Sequence, residues 1–72
     1  MADIELLSVV ALLEDLPAKS LLRGQVGTVV EILGLGVLEV EFSDDSGQTY
    51  ASIALRADQL MRLRHEPSHQ AA

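Results

Sequence analysis

A stretch of 72 residues makes one domain at most, and with no cysteine it is held by neither disulfides nor thiolate metal sites. A formal net charge of −6 argues against nucleic-acid and anionic-membrane surfaces, which call for clustered Lys and Arg. The apolar fraction is 49 % with only 3 % aromatic, so the core is aliphatic, and so much aliphatic side chain in so short a chain predicts apolar surface left over for self-association.

Met1-Ala2-Asp3-Ile4-Glu5 is acidic where a secretory signal is basic. The following apolar run ends at Leu13, far short of the ~20 residues of a membrane helix, so a cytoplasmic, membrane-free domain is expected. Leu6 to Glu14 reads as a first strand, because Val9 and Val10 are β-branched and Asp15-Leu16-Pro17 stops it early. Val9 and Ala11 are placed inward, Val10 and Leu12 outward. A loop follows, from Glu14 to Arg23.

Gly24 to Leu33 is rich in β-branched residues and reads as the second strand. Val26, Thr28, Val30 and Ile32 share one face, taken as the core side, which leaves Val29 and Leu33 outward. Gly27 marks a bulge or bend where a side chain would collide. Gly34-Leu35-Gly36 signals a three-residue hairpin loop. Val37 to Ser43 is the third strand, with Leu38, Val40 and Phe42 on one side and Glu39 and Glu41 on the other.

Asp44-Asp45-Ser46-Gly47 is a turn, with Asp and Ser capping and Gly supplying positive φ. The fourth strand runs from Gln48 to about Leu55, with Thr49, Ala51, Ile53 and Leu55 on one face and Tyr50, Ser52 and Ala54 on the other. Arg56 to Leu60 lacks alternation and reads as a single 3-10 turn. Met61 to Arg64 closes the domain, with Met61 and Leu63 inward and Arg62 and Arg64 outward. The domain is expected to span residues 1–64, and residues 65–72 to form a mobile tail. The fold class expected is all-β, a small five-stranded SH3-like barrel with one 3-10 turn before the last strand.

Leu7 to Pro17, Leu22 to Glu31, Leu38 to Phe42 and Leu55 to Leu60 together resemble the bacterial family known as domain of unknown function 4926. That resemblance implies an SH3-like barrel and carries no established activity. The Gly24-x-x-Gly27-Thr28-Val29 block is more widely shared, and is similar to KOW motifs and to the barrel of nitrile hydratase β chains. A shared barrel transfers no function.

No chemistry is expected. There is no Cys, no serine stands with a His and an acid in a recognisable catalytic constellation, and so small a barrel leaves little room for a ~300 Å³ ligand pocket. Asp44 to Gly47 lacks the distal bidentate Glu of a calcium loop, and His65 and His69 flank Pro67, so neither metal nor cofactor is expected. Tyr50 alone makes no aromatic shelf for proline-rich ligands. What remains is binding. Val10, Leu12, Val29, Leu33, Leu35, Val37 and Tyr50 are the candidate apolar interface, with a homodimer favoured. Glu31, Glu39 and Glu41 are the candidate docking face for a basic protein. The leading expectation is a non-catalytic protein-interaction module that self-associates. An acidic antitoxin-like or immunity-like protein is the alternative, and a KOW-type nucleic-acid binder a third should Lys19, Arg23, Arg56, Arg62 and Arg64 cluster.

Overall fold

A computed structural model of the chain describes residues 4–65 and residue 67. The strands are β1 (Val9–Leu12), β2 (Val26–Gly34), β3 (Val37–Ser43), β4 (Thr49–Arg56) and β5 (Leu60–Arg62). They form one antiparallel sheet in the order β4-β3-β2-β1-β5. A 3-10 turn, Ala57–Gln59, leads into β5, and a second one, Pro17–Lys19, lies between β1 and β2. The all-β class, the five strands and the turn before the last of them are as expected from the sequence. The bounds expected for β3 are those observed.

One aliphatic core holds the sheet together. Phe42, Leu12, Leu21, Val10, Val29 and Val40 are each under 2 % exposed, and Leu38, Leu55, Ala57 and Leu60 join them. Leu55 belongs to one edge strand and Leu60 to the other, yet both sit in this cluster, so the sheet curls until its two edges share one interior.

Two bulges on β2 shape that curl. Cross-strand partners run Gly27↔Phe42, Thr28↔Glu41 and Val29↔Val40, then Glu31↔Glu39 and Ile32↔Leu38, then Gly34↔Val37. Val30 and Leu33 are therefore surplus to the ladder. The hairpin loop is Leu35–Gly36, two residues rather than three, with φ +70° at Gly36. The surplus Leu33 restores the register of a three-residue loop for Ile32 and Glu31, which lie on their expected sides. The surplus Val30 then inverts everything before it, since one residue of slip exchanges the two faces of a strand.

The expected sidedness of β1 and of the start of β2 is accordingly corrected. Val10, Leu12 and Val29 point into the core, at 0 %, 1 % and 0 % exposure. Val26 and Val30 are exposed, and Val9 and Thr28 are half-buried on the outer side. Ile32 faces the core side opposite Leu38 but lies at the open end of the sheet and is exposed. The inversion passes to β5 through the pairs Leu12↔Leu60 and Ala11↔Met61. Met61 is exposed and Leu63 lies on the same outer side, the reverse of the orientation expected for both, while Leu60 enters the core.

The segment read as a plain loop is an ordered flap. Leu16 and Leu21 exchange backbone hydrogen bonds of 2.8 and 3.1 Å, Ser20 turns the chain at φ +58°, and Leu21 enters the core. At the β3–β4 turn, one carboxylate oxygen of Asp44 accepts hydrogen bonds from the Ser46 amide and hydroxyl and from the Gln48 amide, at 2.9–3.0 Å. Gly47 has φ +83° there. Of the expected tail, residue 66 and residues 68–72, His69 among them, lie outside the described residues.

Candidate interaction surfaces

Residues directly opposite in an antiparallel ladder point to the same side, so the pairing lays out the outer face in rows. One row crosses β5, β1 and β2 as Met61–Ala11–Val26. The next begins with Leu63, whose amide donates to the Val9 carbonyl at 2.8 Å, and continues Val9–Thr28–Glu41–Ser52. A further row sets Glu31 against Glu39 and Glu39 against Ala54. The outer face is thus divided. Its β5–β1–β2 half presents Met61 and Val26, with Leu63 and Val9 half-buried beside them and Ala11 buried between, while its β2–β3–β4 half presents Glu31, Glu39 and Glu41.

The acidic set lies together on the outer face, as read from the sequence. Ser52 donates its hydroxyl to Glu39 at 2.8 Å. Of the apolar candidates, Val10, Leu12 and Val29 are core residues and no part of any surface, because of the Val30 bulge. Leu33 and Leu35 are exposed at the β2–β3 hairpin, Leu35 fully so, and Val37 is half-buried beside them. Tyr50 is 47 % exposed and already engaged, its hydroxyl accepting a 2.8 Å hydrogen bond from Gln25 and its ring lying 6.4 Å from that of Phe42. The apolar residues of this face that sequence alternation does not reveal are Val9, Val26 and Met61. Gly27 was the signal for them: a position opposite Phe42 with room for no side chain marks the core side of β2.

At the open end of the sheet, Ile4, Ile32, Leu35, Leu38 and Ala57 line a shallow apolar depression of about 260 Å³. No titratable group lines it. The backbone there is tied by the Ala57 amide, which donates to the Gly36 carbonyl at 2.8 Å. The basic residues are distributed over separate elements: Lys19 in the first 3-10 turn, Arg23 before β2, Arg56 at the end of β4 and Arg62 in β5. Arg56 pairs with Asp58 at 3.0 Å, and both side chains are well exposed.

Among the described residues, no group of three His, Asp or Glu is placed to hold a metal, and no helix is long and apolar enough to cross a membrane. Asp44 is spoken for within its own turn. The Gln48 amide first, then the Ser46 hydroxyl, hold its carboxyl below the ordinary aspartate range. A family model described as Domain of unknown function (DUF4926) matches residues 6–62. No curated protein and no solved structure matches the chain.

Proposed function

The chain belongs to the DUF4926 family, and from that premise we propose that it is a non-catalytic protein-interaction module that forms a homodimer through the apolar half of its outer face. Met61 and Val26 carry this reading: two exposed apolar residues on β5 and β2, in one row across the buried Ala11 of β1 and flanked by the half-buried Leu63 and Val9, on the side of the sheet away from the core. A second copy suits this strip better than an unrelated partner does. Two acidic chains repel where Glu31, Glu39 and Glu41 stand, so a symmetric contact is favoured only on the uncharged half, where each copy presents the same strip to the other.

Light scattering on the purified chain tests this. The expected result is a dimer of the 7.8 kDa protomer that dissociates on dilution, and a Met61→Glu variant that is monomeric with an unchanged circular dichroism spectrum. A wild-type chain that stays monomeric at high concentration overturns it.

A second reading has its own support. Glu31 stands directly across from Glu39, with Glu41 on the same face, and an acidic surface of this kind steers and docks a basic protein, as antitoxin-like and immunity-like proteins do. The expected result is a single basic protein that co-purifies in stoichiometric amount at low ionic strength with the wild type and not with an E31Q/E39Q/E41Q variant. Equal recovery with both would overturn this reading.

A further inference from the structure

The sheet has two edges, and they are unlike. β5 is three residues long and carries Arg62, and shortness and charge are the features that keep an edge from pairing with other chains. β4 is eight residues long, contains no proline, and has its one charged residue, Arg56, at its end. It pairs with β3 on one side and ends the sheet on the other. Its core-side residues Ala51 and Ile53 pack against the core yet are only half-buried, so the interior is incompletely covered along this edge.

The outer side of the same strand is made of small residues. Ser52 lies across from Glu41 and Ala54 across from Glu39. A strand laid beside β4 would stand two strand spacings, about 10 Å, from β3. Over a serine and an alanine, that span is within the combined reach of a lysine and a glutamate. The apolar residues alternating with those lysines would fall on the other side, over Ala51 and Ile53.

We propose that the free edge of β4 binds an extended segment of a basic partner protein by strand addition, a segment that alternates apolar residues with Lys or Arg. Backbone hydrogen bonds along Thr49–Arg56 hold the segment, its apolar residues cover Ala51 and Ile53, and its cations meet Glu39 and Glu41. This rests on the reading of the acidic half as a docking face and gives that face its occupant. The dimer strip on β5, β1 and β2 uses no residue of β4.

The test uses the full chain with three synthetic peptides: alternating Val and Lys, alternating Val and Glu, and octalysine. The Val/Lys peptide is expected to bind in a fluorescence anisotropy titration and to slow amide hydrogen exchange across Thr49–Arg56. The E39Q/E41Q variant, which keeps an acceptor for Ser52, is expected to bind it about tenfold more weakly. The Val/Glu peptide is expected not to bind. Octalysine reports on the carboxylates alone. If it binds in a Glu39- and Glu41-dependent way while the Val/Lys peptide leaves β4 unprotected, strand addition is overturned and the acidic docking face stands. If binding of both lysine peptides is indifferent to E39Q/E41Q, both are overturned. If β4 amides are protected in the protein alone, increasingly with its concentration, a second copy occupies the edge and the proposal fails.

Discussion

Gly27 faces Phe42 across the β2–β3 ladder, and the ring of the second occupies the space that a side chain on the first would need. A β-carbon on Gly27 would lie 2.7 Å from a Val40 methyl, 2.9 Å from the Glu41 carbonyl oxygen and 3.0 Å from the Phe42 ring. One of those three neighbours is backbone and cannot swing aside. Gly27→Ala is therefore expected to destabilise the domain by ~1–3 kcal/mol, the usual cost of overpacking, rather than to stabilise it by stiffening the unfolded chain. Urea unfolding followed by circular dichroism measures it, and an unchanged or raised midpoint would contradict the packing described.

Leu21 gives the complementary case of a cavity. It lies in no strand, yet is 1 % exposed and belongs to the core. Leu21→Ala is expected to cost ~2–5 kcal/mol. That is comparable with the whole stability of a domain this size, ~4–11 kcal/mol at ~0.05–0.15 kcal/mol per residue. The variant should melt far below the wild type. The exposed neighbour Leu22→Ala should melt close to the wild type.

How far the sequence reveals this fold depends on the strand. β3 is legible to the residue, because Leu38-Glu39-Val40-Glu41-Phe42 alternates strictly and only one side of it can be buried. The outward placement of Glu39 and Glu41 is legible for the same reason, and that of Glu31 follows from its place across the hairpin opposite Glu39. β1 is apolar at every position from Val9 to Leu13, so its orientation is inherited from β2, and that of β2 turns on a bulge at Val30 that no Gly or Pro announces. Unbroken alternation from Val26 to Ile32 would put Val29 on the surface and Val26 in the core, and with them Val10 and Leu12 on the surface; the bulge at Val30 reverses this. Exposed apolar side chains are spread over the fold, with Leu7, Leu22, Val26, Ile32, Leu35 and Met61 among them. Leu21 was hidden by the polar and turn-forming residues around it, and only the mutual bonds of Leu16 and Leu21 bring it inward.

The β3–β4 turn predicts an acid dependence. The carboxyl of Asp44 titrates below its ordinary value of 3.8 in the folded chain, chiefly because the Gln48 amide and the Ser46 hydroxyl bond its charged form. A folded value below the unfolded one means that the unfolded state binds the proton more readily. The contribution is fully present above the unfolded value and is lost as pH falls through the folded one. Asp44→Asn should therefore lower the urea midpoint at pH 7, and the gap between variant and wild type should narrow as the pH is taken below 3.8. A gap that is constant with pH would show that the charge contributes nothing.

Glu31 and Glu39 stand directly opposite on the outer face, and like charges so placed are destabilising. Glu31→Gln is expected to raise stability by ~0.2–1 kcal/mol, a gain that shrinks in high salt as screening removes the repulsion it relieves. Thermal melts at low and high ionic strength measure both. A loss of stability on substitution would mean that Glu31 has a favourable partner outweighing Glu39.

β2 and β3 differ in length along their shared ladder, Gly27–Gly34 being matched to Val37–Phe42. Removing Val30 would leave Val29 and Glu31 adjacent and every cross-strand partner where it is, so pairing alone would accept the shorter strand. Curvature would not, because the surplus residue is what bends β2 and tightens its twist. The damage from such a deletion would reach beyond β2, into a core to which both edge strands contribute, Leu55 from β4 and Leu60 from β5.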